Sequence, residues 1–252
     1  MKNIILIGSG NVSTHLGLSL VQQGYNIKQV WSKHLINADI LAKKLNSTST
    51  DNLNNIKHAD LYIVSVKDDV LKSLIKELKV NNIVHTSGSI GLEVFENKVE
   101  NYGVFYPLQT FNKTLSLELS QTPICIESNN EAFKDKLISL GDSLTEKVIT
   151  INSEQRKQLH IAAVFACNFV NHMLAISEKI LKKSNTEFKL LIPIINETIK
   201  KINTNKPSKV QTGPAQRKDI TVIQDHINNL SDKQTKKIYQ IISESIIKYN
   251  EK

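Results

Sequence analysis

The chain is poor in the residues that build special scaffolds. Its 252 residues hold two cysteines, Cys125 and Cys167, both in apolar surroundings. That excludes a disulfide framework and a cysteine-based zinc site, and both are read as reduced core thiols of a cytoplasmic protein. No metal is expected. Five prolines and nine glycines are too few for a fibrous or linker-rich chain, while 40% hydrophobic and 22% charged residues are globular values. Long apolar runs are missing as well. The first, residues 4–7, ends at Gly8 and is too short for a secretory signal core. No later run reaches the roughly 20 residues of a membrane span, so no membrane partner is expected.

Arginine is scarce too: Arg156 and Arg217 are the two among 32 basic residues. Lysine serves wherever bare charge suffices, so a planar guanidinium marks a place where bidentate binding of carboxylate or phosphate is wanted. Arg217, behind the Gly213-Pro214 turn, is a candidate for a substrate carboxylate; capping or pairing with Asp219 would explain it equally well. The net charge of +8 falls wholly in residues 151–252, since residues 1–150 hold 15 Lys and 15 Asp plus Glu. The basic half carries scattered lysines without interleaved aromatics, so nucleic acid is not an expected partner. Its field would favour a small anion.

Apolar runs of strand length (residues 4–7, 27–31, 61–66, 83–85, 104–106 and 124–126) alternate with helical patterns at 12–23, 38–45, 70–78 and 131–140. Continuous apolar strands alternating with helices imply a parallel sheet covered on both faces. From residue 153 strand signals vanish, and 153–183, 189–203 and 231–249 read as helices around a turn-rich loop. The expectation is an α/β fold: an N-terminal Rossmann-type parallel sheet (1–150) followed by an all-helical C-terminal domain (151–252).

Gly8-Ser9-Gly10-Asn11-Val12-Ser13 follows the first strand and opens a helix, the setting of a dinucleotide fingerprint. Gly8 permits the tight turn, Gly10 lets backbone approach a pyrophosphate, and the helix start offers free N–H groups to the anion. Ser13 stands where Gly or Ala is usual. The second strand ends in Trp31-Ser32-Lys33-His34, without the acid that would accept from an NAD ribose. Ser32 and Lys33 suit a 2′-phosphate, so NADP(H) is the expected cofactor. Val66, Lys67, Thr86 and Ser87, at the ends of later strands, are further cofactor candidates.

On a helical wheel, Lys157, His160, Asn168, Asn171 and His172 share one stripe of the 153–183 helix, amid a wide apolar surface. Such a helix is expected to be largely buried, and its stripe then holds either satisfied interface groups or a proton donor with substrate-orienting amides.

These segments, with residues 103–111 and 211–219, resemble the Rossmann-like proteins carrying a helical C-terminal domain of long-unassigned function. That group is similar in layout to ketopantoate reductases, pyrroline-carboxylate reductases and 6-phosphogluconate dehydrogenases. The resemblance implies NADPH-dependent reduction of a small anionic 2-oxo acid, foremost 2-dehydropantoate (ketopantoate) in pantothenate and coenzyme A synthesis. It also implies a homodimer formed through the helical domain. The ketopantoate reductase pattern places a catalytic Lys four residues before an Asn, but Ile161 follows Lys157 at that spacing. His160 therefore stands beside Lys157 as candidate proton donor, Asn168 and Asn171 as catalytic amides, and Gln109, Thr110, His172 and Arg217 as substrate ligands. Reduction of another carbonyl or an imine, or a non-catalytic NADP-binding sensor, fits the same pattern.

Overall fold

Strands that are apolar on both faces need cover on both sides. The computed structural model, which describes residues 1–96 and 98–249, provides it. One sheet joins β1 (Asn3–Ile7), β2 (Asn26–Trp31), β3 (Thr48–Thr50), β4 (Leu61–Val64), β5 (Ile83–His85), β6 (Tyr102–Pro107), β7 (Ile124–Ser128) and β8 (Val148–Thr150). Their spatial order is 3-2-1-4-5-6-7-8. The connecting helices are α1 (Asn11–Gln22), α2 (Leu35–Lys44), α3 (Asp68–Glu77) and α4 (Glu131–Asp142). Along β1, Ile4 and Leu6 enter one core with α1 and α2, and Ile5 and Ile7 enter the other with α3; all four are fully buried. Each such side chain contributes about 2 kcal/mol of burial.

The strand order reverses at β1, which has β2 on one side and β4 on the other. Loops leaving the carboxyl ends of β1 and β4 therefore diverge to opposite faces and leave a crevice between them. The expected all-parallel sheet needs correction at one edge, because β7 runs antiparallel to β6. A parallel return needs a crossover helix, whereas residues 108–123 are a strap without an α-helix. From β7, α4 leads back to a parallel partner, β8.

The chain divides into two compact units, Met1–Phe169 and a second starting at Val170. The sequence-based division at 150/151 falls at the end of β8; α5 (Ser153–Ala163) and the π-helical turn Val164–Phe169 group with the sheet. The second unit holds α6 (Val170–Lys182), α7 (Ile192–Ile202), α8 (Ile220–Asn229) and α9 (Lys233–Tyr249). Helix α8 interrupts what the sequence pattern left as loop and linker. Asp219 caps it by accepting from the Val222 N–H at 3.2 Å, and Ala215, Ile223 and Ile227 form its small core.

Two expectations about the long helical stretch are corrected. It is not buried: Arg156 is the buried residue of α5, and α6 has none. Ile161, Phe165 and Phe169 are 51%, 65% and 48% exposed. Nor is it too polar to cross a bilayer, because Ser153–Lys182 contains an 18-residue window of mean hydropathy 1.6. Counting uninterrupted apolar residues misses this, since Asn168, Asn171 and His172 break the run while leaving the mean high.

Candidate active site

The cleft begins where β1 ends. Gly8 has φ +122°, and a Cβ there would lie 2.2 Å from the Ser65 carbonyl oxygen. No other residue fits this turn. The Gly8 N–H donates to Trp31 O and the Ser65 N–H to Ile7 O, both at 2.8 Å, so the ends of β1, β2 and β4 are tied together. A Cβ on Gly10 would meet nothing within 4 Å. Gly10 is also the N-cap of α1, with no side-chain cap and no acid in the first turn. The free N–H groups and the positive end of the helix dipole are thus left open to an anion, as a pyrophosphate requires. The residues present fit a dinucleotide.

Around this turn lies a cleft of about 1110 Å³, all of it within the first unit. Gly8, Ser9, Gly10, Asn11 and Val12 line it, with Ser32 and Lys33 at the end of β2, Val66 and Lys67 before α3, and Thr86 and Ser87 after β5. Every residue expected to hold the cofactor is therefore on its wall. Trp31, His34, Leu53 and Val70 join them at the β2 side; the sequence offered no reason to choose these over other apolar or imidazole groups. The segment after β5 is pinned by its own polar atoms. Thr86 Oγ1 donates to Ser65 Oγ at 3.1 Å, and Ser87 Oγ accepts from the Ser89 and Ile90 N–H groups at 3.1 Å.

At the far end stand His160 and Tyr106. Their Nδ1 and hydroxyl oxygen are 2.9 Å apart, with the rings edge to face. The imidazole lies against Gly88 so closely that a Cβ there would be 2.6 Å from its Cγ and Nδ1. Gly88 is therefore the space His160 occupies. Burial, helped by the neighbouring Cys125 thiol, pushes the Tyr106 phenol up to about 12, so it stays protonated at ordinary pH. Tyr106 had a signal that went unused: in β6 it follows Val104 at the strand's two-residue period, and a polar tip at a strand's carboxyl end points to a site.

Of the other expected residues, one reaches the cleft. Gln109 lines the cleft, whereas Thr110 is exposed and donates its N–H to Gln109 Oε1 at 2.8 Å. Lys157 lies outside the lining, 3.2 Å from Glu154 Oε1. Asn168 is exposed on the π-helical turn. Asn171, His172 and Arg217 are exposed residues of the second unit.

Arg156, singled out for its rarity, is fully buried and holds protein rather than ligand: its guanidinium pairs with Glu127 and donates to Ile90 O and Ser153 Oγ. Glu127 also accepts from the Ser153 N–H and hydroxyl at 2.8 Å each. Beneath the cleft floor, His85 is pushed down to about 3 by burial and by the Arg156 charge. Its Nδ1 accepts from the Ser87 N–H at 3.2 Å.

Comparison with known proteins agrees with this geometry. Residues 3–87 match the family model described as "NADP oxidoreductase coenzyme F420-dependent", and residues 122–246 match a domain of unknown function, DUF2520. The "putative NADP oxidoreductase" of Bacteroides fragilis is 39% identical, with 98% of each chain covered and a TM-score of 0.91. The chain belongs to that family of NADP oxidoreductases. Its cofactor is NADP(H). A Thermotoga maritima protein shares the fold at 21% identity and TM-score 0.77, covering 99% of this chain and 100% of its own. So does the 1-pyrroline-5-carboxylate reductase of Streptococcus pyogenes, at 14% and 0.63, covering 98% and 97%. No curated protein matches the sequence.

Two outcomes follow for this oxidoreductase. If Lys33 pairs with the 2′-phosphate, a partly screened, charge-assisted contact, Lys33→Ala should weaken NADPH binding about tenfold and leave NADH nearly unaffected. Quenching of Trp31, the single tryptophan, reads both titrations; equal losses for the two cofactors would remove Lys33 from the phosphate site. The second concerns His85. As pH falls below 6.5 the unfolded chain takes up a proton that the folded chain refuses until about pH 3. Stability should therefore decline over that window, by on the order of 1 kcal/mol per pH unit. Denaturant melts of His85→Asn, which keeps an acceptor for Ser87 but does not titrate, should show a flatter slope.

Proposed function

We propose that this oxidoreductase uses NADPH to reduce a small anionic carbonyl compound, a 2-oxo acid, with 2-dehydropantoate the foremost substrate. The observation that carries the reading is the His160–Tyr106 pair at the end of a cleft whose other end suits the phosphates of NADPH. NADPH, when bound, supplies a hydride to the carbonyl carbon. His160, as the imidazolium, completes the reduction by donating a proton to the carbonyl oxygen from Nε2, the ring nitrogen that Tyr106 does not hold, and is left as neutral imidazole. Tyr106, kept protonated by burial, fixes the imidazole through Nδ1, and Gly88 leaves the ring its place. Gln109, on the same wall, offers an amide to the substrate. The anionic substrate class is supported by the basic balance of the chain and by the sequence resemblance.

Purified protein with NADPH and 2-dehydropantoate should oxidise the cofactor, faster than with NADH. His160→Ala should lower kcat by about 10²- to 10⁴-fold while Trp31 quenching reports nearly unchanged NADPH affinity. Turnover on cyclic imines in place of the oxo acid would move the substrate class to C=N bonds. Binding without any turnover would favour a sensor.

The chain is further read as a cytosolic homodimer joined through the helical stretch. Ile161, Phe165 and Phe169 recur at four-residue spacing on its exposed face, an apolar area of the kind that marks an interaction surface. The polar groups Lys157, His160, Asn168, Asn171 and His172 on the same stretch argue against lipid around it. Light scattering should give twice 28.4 kDa; a mass of one chain would contradict the pairing.

A further inference from the structure

The strap between β6 and β7 is fastened to the phosphate-binding helix at two residues, Asn11 and His15. Asn11, in the first turn of α1, donates from Nδ2 to Phe111 O at 3.0 Å and accepts on Oδ1 from the Lys113 N–H at 3.2 Å. Its amide thus pairs with a backbone segment 100 residues away much as a neighbouring strand would. One helical turn later His15, 4% exposed, reaches Asn112 O with Nε2 at 3.0 Å, and its ring packs on Phe111 with centroids 5.4 Å apart. The fastened segment carries Gln109 and Phe111, which wall the cleft two and four residues beyond Pro107. The same helical turn presents its backbone N–H groups to the cofactor pyrophosphate.

We propose that Asn11 is a positioning residue that transmits occupancy of the phosphate turn to the 109–113 strap, so that dinucleotide binding sets the wall carrying Gln109 and Phe111. This rests on the reading of the cleft as the NADPH site. The physical ground is that both Asn11 bonds are exposed to water, and exposed bonds at a strap open readily. A pyrophosphate held by the first turn of α1 removes the fraying of that turn, and a steadier Asn11 holds the strap closed for longer.

The test is amide hydrogen exchange at Lys113, with NADPH as the probe and Trp31 quenching to confirm that it binds. In the wild-type chain saturating NADPH should slow exchange at Lys113 by about fivefold or more. In Asn11→Ala, read at NADPH concentrations raised until the Trp31 quench saturates, whatever affinity the variant has lost, the NADPH effect at Lys113 should vanish. Asn11→Asp, which keeps an acceptor for the Lys113 N–H, should retain part of the effect at NADPH concentrations that saturate the quench. A merely structural asparagine would leave the NADPH effect intact in the alanine variant, and that result overturns the proposal. So does quenching in the wild type without any change at Lys113. Absence of quenching would overturn the cleft reading itself and this coupling with it.

Discussion

A buried ion pair governs where the catalytic end of the cleft can be. Arg156 is withdrawn completely from water, and an isolated charge in that position would cost several kcal/mol. Glu127 on β7, the Ile90 carbonyl and the Ser153 hydroxyl together hold it, leaving Nε without a partner among the described residues. Those bonds attach the first turn of α5 to β7 and to the segment after β5. His160 lies one turn further on, so the same attachment delivers its ring onto Gly88 and into reach of Tyr106. The antiparallel β7 is part of this device, because it brings Glu127 opposite Val104 of β6, two residues before Tyr106.

The other end of the cleft depends on a contact rather than a charge. Gly8 allows the turn after β1 to meet the backbone of Ser65 after β4, at the point where the strand order reverses. Close approach of helix to sheet is then needed for α1 to aim its N-terminus into the crevice. The third fingerprint position, usually Gly or Ala, is Ser13 here, fully buried and with its hydroxyl unpaired. One turn further along, Gly17 accepts the close packing: a Cβ there would lie 2.7 Å from Leu45 and 2.9 Å from Leu6. The small-residue requirement of the motif is thereby shared between two turns of α1.

Much of this was legible in the sequence, for reasons that also explain the misses. Strands buried on both faces must be apolar throughout, so the six central runs stood out, as did the glycines that a phosphate turn requires. The edge strands β3 and β8 are three residues each and partly polar, and a pattern of burial does not distinguish them from loop. Strand direction leaves no trace in apolar periodicity, which hid the antiparallel step at β7. Arginine rarity marked Arg156 as special without naming its partner, since a guanidinium fork suits a protein carboxylate as well as a ligand's. Gly88 is illegible in the sequence because its role exists only relative to His160, 72 residues away, and the position of Tyr106 at a strand end does not show that it meets a histidine 54 residues on.

The electrostatics of the catalytic end narrow the assignment of proton transfer. Tyr106 is pushed up to about 12 by burial, so it keeps its proton at ordinary pH. His85, just below, is pushed down to about 3 and remains neutral there. The Arg156 guanidinium is neutralised by Glu127, fully buried and outside the cleft lining. Lys157, the rival donor on the same helix, is engaged by Glu154 and does not reach the lining. Tyr106 can orient a proton but is too weak an acid to give one up, and His85, Arg156 and Lys157 do not reach the cleft lining. On the proposed reading, the duty of protonating a developing alkoxide falls to His160, and the buried groups around it serve to hold its ring rather than to share its chemistry.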